Sequence, residues 1–258
     1  MKIYQVDAFT DTVFSGNPAA VCPLDTWLDD KTLQNIAAEN NLAETAFFVK
    51  TNEGFHIRWF TPKAEVDLCG HATLATAYVL FQEMGYSDNT LSFDSRSRIL
   101  TVTKNQEWLT LNFPVDQFHP IELTSELISC FDSTPTEAYK GLTDYMLVFP
   151  HIQDIQTINP DLSKIALLDA RGVIVTAKGT DTDFVSRFFA PAVGVNEDPV
   201  TGSAHTTLAP YWSAQLRKTE LTARQISERG GYLRCKLIND RVEISGQAAL
   251  YLTGEISI

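Results

Sequence analysis

One stretch of this chain occurs twice. Arg58-Trp59-Phe60-Thr61-Pro62, with Val66 and then Gly70-His71-Ala72, returns as Arg187-Phe188-Phe189-Ala190-Pro191, with Val195 and then Gly202-Ser203-Ala204. The two arginines are 129 positions apart (187 minus 58), half of the 258-residue length. A period of half the chain predicts two similar domains facing each other, 1–116 and 117–258, with the last strand able to return to the first domain. Hydrophobic residues make up 44% of the chain and charged residues 20%, which is enough apolar material for two cores.

The formal charge of −12, with no Lys/Arg cluster to offset it, excludes nucleic acid and anionic membranes as partners at the level of sequence. Cys22, Cys69, Cys130 and Cys235 are scattered singly, without the paired spacing of a zinc site. They read as reduced thilos of a cytoplasmic protein, in a chain large enough to need no disulfide staples. Met1 to Asp7 lacks a long apolar leader, and no segment approaches the roughly 18 apolar residues that span a bilayer.

Patterning predicts strands at Lys2–Phe9 and Ala19–Cys22, separated by the turn Ser15-Gly16-Asn17-Pro18. A helix over Asp29–Asn40 carries Leu33, Ile36 and Ala37 on one side and is capped by Asp29 or Asp30. Strands follow at Thr45–Val49 and Phe55–Phe60, then a helix over Gly70–Met84 that stops at Gly85. Leu91–Phe93, Ile99–Val102 and Trp108–Phe113 complete a mostly β first half, and Pro114–Pro120 is the crossover. The second half repeats this order, with helical Thr124–Phe131, strands near Tyr145–Phe149 and Gly172–Ala177, and a helix from Ser203. Pro210 removes a backbone donor inside that helix and is expected to kink or shorten it.

Both repeats end on a glycine that opens a helix, Gly70-His71-Ala72-Thr73 and Gly202-Ser203-Ala204-His205. Helix starts carry unpaired N–H groups and the positive end of the macrodipole, so each is a candidate anion site, and a tight turn is the plain alternative. The second copy inserts three residues before its glycine and so brings in Asp198, held ahead of Pro199 near extended geometry. A solvated loop aspartate is the competing reading. His71 at a helix start is expected to be neutral, because the dipole repels an imidazolium, and Asp198 would fix its tautomer. Glu44 stands among apolar neighbours, where burial would raise its pKa toward that of a general acid/base, unless it is an exposed strand-entrance residue.

Gly16-Asn17-Pro18-Ala19-Ala20-Val21, Ala43-Glu44-Thr45-Ala46-Phe47, the Arg58 segment ending Cys69-Gly70-His71-Ala72-Thr73, and Glu197-Asp198-Pro199-Val200-Thr201-Gly202-Ser203-Ala204-His205 occur in this order. With these motifs the chain resembles the phenazine-biosynthesis PhzF-like family over essentially its whole length. The resemblance implies an α+β fold of two pseudo-symmetric, diaminopimelate-epimerase-like domains. Each is a curled β-sheet or barrel around a central helix, and the active site lies between them. It implies isomerisation of a small carboxylic acid by proton transfer without metal or organic cofactor. By motif, the catalytic residues fall on Glu44, His71 and Asp198, and substrate contacts on Gly70, Gly202, Ser203 and, in the first turn, Asn17. It further implies a homodimer.

Related epimerases and racemases use two cysteines, one heading each central helix. Here the first position is Cys69 and the second is Thr201, whose alcohol is far too weak an acid to act as the opposing base. Single-base isomerisation by Glu44 is therefore preferred to epimerisation of an amino acid derivative, and Cys69 reads as a small core residue. Phe48, Trp59, Phe60, Phe188 and Phe189 suit either a ring-binding lining or the core. A hydrolase using Ser203 with His71 or His205 lacks the nucleophile-elbow pattern. A binding protein that has lost turnover is the remaining alternative.

Overall fold

The computed structural model describes residues 1–258, and the chain divides into two units, Met1–Asn112 with Ser245–Ile258, and Phe113–Ile244. In the first, β1 (Lys2–Ala8), β2 (Asn17–Leu24), α1 (Asp30–Asn40), β3 (Glu44–Thr51), β4 (Gly54–Phe60) and the short β5 (Glu65–Val66) precede α2 (Gly70–Tyr78). Then come β6 (Thr90–Asp94), β7 (Ile99–Asn105) and β8 (Trp108–Pro114). The second holds β9 (His119–Ile121), α3 (Ser125–Ile128), β10 (Glu137–Lys140), β11 (Asp144–Val148), α4 (Ile152–Thr157), α5 (Leu162–Ile165), β12 (Gly172–Lys178) and β13 (Phe184–Phe189). It continues with α6 (His205–Leu216), β14 (Glu220–Gln225), β15 (Gly231–Ile238) and β16 (Arg241–Gly246), and β17 (Ala248–Glu255) ends the chain.

The duplication read from sequence is a duplication of strand pairing. In the first unit β1/β2 is antiparallel, β2/β3 parallel, β3/β4 antiparallel, β4/β6 parallel and β6/β7 antiparallel. In the second, β10/β11, β11/β12, β12/β13, β13/β14 and β14/β15 repeat the same alternation. Each parallel step needs a crossover, and the same crossover in both units carries the long buried helix, α2 or α6. The strand that follows each copy pairs with the first strand of the other, β9 with β10 and β17 with β1. The C-terminal strand is thus part of the first unit.

Each repeated segment folds into the same clamp. Arg58 on β4 donates from Nε and Nη2 to Glu65 at 2.7 and 2.8 Å, and Arg187 on β13 donates likewise to Glu197 at 2.7 and 2.9 Å. Their guanidinium carbons lie 5.1 and 5.0 Å from the ring centres of Phe60 and Phe189. Glu65 precedes Val66 whereas Glu197 follows Val195, so the three-residue insertion moves the carboxylate along the chain but not away from its arginine. Phe48, Trp59, Phe60, Phe188 and Phe189 are all core residues.

The helices explain several local departures from the expected pattern. Asp29 caps α1 by accepting from the Thr32 N–H at 3.0 Å, while Asp30 instead pairs with Arg58 at 2.9 Å. Regular α2 ends at Tyr78, short of the expected Met84. Val79–Glu83 widens into a π turn, with the Met84 N–H donating to the Val79 carbonyl at 3.0 Å, before Gly85 at φ 68° reverses the chain. The second central helix begins at His205, because Gly202, Ser203 and Ala204 form a tighter turn bonded three residues on.

Rather than being shortened at Pro210, α6 runs through it for six further residues. A proline there leaves the Thr206 carbonyl without its helical donor. The Asp116 N–H supplies one at 3.2 Å, and the Asp116 carboxylate accepts from Thr207 Oγ1 at 2.8 Å and the Leu142 N–H at 3.3 Å. The missing bond is replaced from outside the helix.

Two stability measurements test these devices. Glu197→Gln should lower unfolding stability by about 2 kcal/mol in urea titrations, since it leaves a partly buried guanidinium without its charge partner, and Glu65→Gln should cost less because Asp30 still pairs with Arg58. Asp116→Ala should cost about 1–2 kcal/mol, whereas Pro210→Ala should change stability by less than about 0.5 kcal/mol, because the Thr206 carbonyl is already occupied.

Candidate functional site

The first unit places Glu44 at the start of β3. Asn41 takes the left-handed conformation at φ 48° to end α1, and Asn40 Nδ2 donates to Thr45 Oγ1 at 3.0 Å, which sets where the strand begins. Parallel pairing puts Ala19 of β2 level with Glu44, so Asn17, fully buried, lies at the same end of the sheet. Gly16 at φ 68° makes the turn before it, and a Cβ there would come within 2.3 Å of the Ala8 carbonyl oxygen.

The start of α2 supplies the partner for Glu44. Cys69 is extended and uses no side-chain cap, and its carbonyl accepts from Thr73 N–H and Oγ1 at 3.2 and 2.6 Å. Gly70 opens the helix and His71 follows, buried, with its two ring nitrogens turned to different neighbours. Nδ1 lies 3.5 Å from Cys69 Sγ and Nε2 lies 3.2 Å from Glu44 Oε2, the latter as an ion-pair contact outside hydrogen-bond alignment. The Glu44 side chain is 18% exposed, so the pair opens toward its surroundings on the carboxylate side.

Charge at this cluster differs from the expectation of a neutral histidine. Burial pulls the His71 pKa down, but Cys69 and Glu44 beside the ring push it up by more, and the result lies well above the ordinary 6.5. Burial, reinforced by Glu44, pushes the Cys69 thiol up. Glu44, Cys69 and His71 also bring a carboxylate, thiol and imidazole atom within 4.8 Å of one another, a donor set of the kind zinc accepts. Because the thiol and the carboxylate flank opposite ring nitrogens, the layout suits a proton relay better than a single shared ion.

In the second unit a corresponding cluster carries different chemistry. The Asp198 N–H donates to the Phe188 carbonyl at 3.0 Å, and its carboxylate accepts from Thr201 Oγ1 at 2.6 Å. Buried Gln225 on β14 fixes this loop: Nε2 donates to the Asp198 carbonyl at 2.7 Å, and Oε1 accepts from the Thr201 N–H at 2.8 Å. Gly202 is buried in the turn, and Ser203 is half-buried with its Oγ accepting from Arg171 Nη2 at 3.1 Å. Arg171 also donates from Nε to the buried Asp144 at 2.9 Å and lies 5.1 Å from the centre of the Phe188 ring.

Thus Glu44, His71, Gly70 and Cys69 gather in one unit, and Asp198, Thr201, Gly202 and Ser203 in the other. Sequence reasoning missed Arg171, Gln225 and the two clamp glutamates. Strand register accounts for the place of Arg171 only in the folded chain: Phe47 pairs with Arg58 and Val175 with Arg187, which sets Glu44 level with Gly172, so Arg171 immediately precedes the counterpart of the candidate base. His205 is no base for Ser203. Its Nδ1 lies 2.9 Å from the Thr201 carbonyl and therefore donates, while Nε2 is buried with no protein partner.

Two mixed α/β units, each with a helix set in a curled sheet, define an epimerase-like α+β fold. A probable proline racemase of Agrobacterium radiobacter matches it with TM-score 0.66 over 100% of this chain and 93% of its own, and at 8% identity that likeness is one of fold alone. Residues 6–254 match the PhzC-PhzF family, described as phenazine biosynthesis-like protein, and the chain belongs to that family. An uncharacterized isomerase of Pseudomonas aeruginosa is 49% identical over 100% of this chain and 99% of its own. Phenazine biosynthesis-like domain-containing protein 1 of Mus musculus is 40% identical over 100% and 99%. The crystal structure of a PhzF-family protein from Enterococcus faecalis shares TM-score 0.97 and 48% identity over 100% and 99%. No helix here is long and apolar enough to cross a membrane.

The buried neutral His205 makes a pH prediction. Burial lowers its pKa to about 4, against 6.5 for an unperturbed histidine. The unfolded chain therefore binds a proton that the folded one refuses. The full contribution is present above pH 6.5 and is lost as pH falls toward 4, by about 3 kcal/mol in all. Urea titrations across that range should show this slope in the wild type and its loss in His205→Asn.

Proposed function

We propose that the protein is a cofactor-independent isomerase that moves a proton within a small carboxylic acid, with Glu44 as the acid/base. The observation that carries this reading is the contact of Glu44 Oε2 with His71 Nε2 at 3.2 Å, at the mouth of a buried helix start. The charged carboxylate accepts a proton from a carbon next to the substrate carboxyl. The electron pair left behind shifts onto that carboxyl, where the helix-start N–H groups of Gly70 and Gly202 and the Ser203 hydroxyl bear the developing charge. In an unsaturated acid Glu44 then protonates another carbon of the allylic system and the double bond moves, and the carboxyl proton exchanges with solvent in the interval. His71 holds the carboxylate in place and stabilises its charged form, and we assign Asp198 to the same catalytic set.

Epimerisation of an amino acid derivative needs a second base on the opposite face. The position matching Cys69 is Thr201, whose hydroxyl is engaged in donating to Asp198, which favours the single-base route. Ser203 as a hydrolytic nucleophile is disfavoured because its side-chain partner is a cationic guanidinium and not a base. Four free, buried cysteines suit a reducing cytoplasm, where we place the protein as a homodimer.

Small acids incubated in deuterated water and followed by NMR test the proposal. Glu44→Gln should slow deuterium incorporation at least about a thousandfold while the protein stays folded, because the amide cannot accept the proton. Wild-type exchange should survive EDTA. Full exchange by Glu44→Gln, or loss of exchange with EDTA and recovery with zinc, would overturn the assignment.

A further inference from the structure

A cavity of about 360 Å³ lies in the first unit, at the far end of α2 from His71. Separate stretches of chain build it. The loop after β1 gives Asp11, the end of α2 and its π turn give Tyr78 and Gln82, and the turn between β7 and β8 gives Gln106 and Glu107. Gln247, just ahead of β17, closes the ring, and Leu109 and Ala248 supply the apolar part of the wall. Two carboxylates, three primary amides and a phenol thus line one space that holds no lysine or arginine.

The negative charge there is not neutralised from within the protein. Glu107 accepts from a neutral donor, Gln247 Nε2 at 3.2 Å, and no basic side chain pairs with it or with Asp11. Neither α2 nor the π turn ends on a basic residue, so the carbonyl end of the helix adds partial charge of the same sign. Lys104, the basic residue beside that turn, is held over the Phe81 ring at 5.3 Å and does not line the cavity. Glu83 brings another carboxylate close. Burial and Glu83 push the Tyr78 phenol up, and the Leu250 N–H donates to its oxygen, which ties β17 to the helix end.

We propose that this cavity binds a small aliphatic diamine, its two ammonium groups held by Asp11, Glu107 and the amide carbonyls and its methylene spacer lying against Leu109 and Ala248. A bare divalent metal fits less well. Hard cations require a compact cage of six or more oxygens at roughly 2.1–2.6 Å, whereas this space is of ligand size and has an apolar wall that no ion would use. Gln82 is 12 positions beyond Gly70 (82 minus 70), about 18 Å along the helix, so the cavity is separate from the Glu44 and His71 contact.

The probe is 1,4-diaminobutane, titrated by calorimetry into the full-length protein at low ionic strength, with 1,4-butanediol and magnesium chloride as comparisons. One equivalent of diamine should bind, at least about tenfold more tightly than the diol, and added salt should weaken it. Asp11 and Glu107 are exposed, so Asp11→Asn and Glu107→Gln should leave the fold intact. Each should weaken diamine binding at least about fivefold, and the double variant should weaken it further. Asp181→Asn, at an exposed carboxylate of the second unit, should leave the affinity unchanged. Absence of diamine binding, equal binding of the diol, displacement of the diamine by equimolar magnesium, or the same loss in Asp181→Asn would each overturn the proposal. Glu44→Gln should keep diamine affinity while losing deuterium exchange, and the Asp11 and Glu107 variants should keep exchange, so this proposal and the proton-transfer reading fail independently.

Discussion

The interaction on which both halves of the molecule depend is the arginine clamp of the repeated segment. Arg58 and Arg187 each sit on a central strand, fork onto a glutamate in the loop that follows, and lie over a phenylalanine two positions on. A bidentate guanidinium–carboxylate pair fixes orientation as well as distance. Here it fixes the loop that leads from the strand to the buried helix. Those loops end at Cys69-Gly70 and at Thr201-Gly202, so the clamp determines where the first helical N–H groups and the side chains beside them are presented. The three-residue insertion in the second copy is accommodated because the glutamate, and not the spacing, is retained.

The same frame carries different chemistry in its two copies. The start of β3 sets a carboxylate against an imidazole, and the residue just ahead of β12 sets a guanidinium against a hydroxyl. The first combination pairs two groups able to titrate, a carboxylate and an imidazole, with the ring buried. The second does not, because neither guanidinium nor serine alcohol titrates near neutrality. Duplication followed by this divergence yields a carboxylate–imidazole pair in one half and a guanidinium–hydroxyl pair in the other from one topology.

The second central helix shows how a local rule is overruled by a tertiary contact. Proline at position 210 removes a donor, and the chain pattern alone predicts a kink or a shortened helix. The Asp116 backbone fills the vacancy, and its carboxylate ties Thr207 and Leu142 to the same point, so the helix stays whole. Conversely, the first helix was expected to run regularly to Met84 and instead loosens into a π turn. Apolar spacing reports which face of a helix is buried but does not separate one helical hydrogen-bond pattern from another within a single turn.

Sequence by itself determined the duplication, most strand positions, a cap at Asp29 or Asp30 and the candidate residues Glu44, His71, Asp198 and Ser203, because these are carried by repetition, short-range periodicity and residue type. Tertiary structure alone decided which of them touch. The register of β3 on β4 and the approach of α2 bring residues 44 and 71 within 3.2 Å, and Cys69 and Glu44 beside the ring raise the His71 pKa. Arg171, Gln225 and Asp116 were silent in the sequence for the same reason. Their roles arise from partners 24 to 91 positions away, and no local pattern encodes a hydrogen bond closed over such a distance.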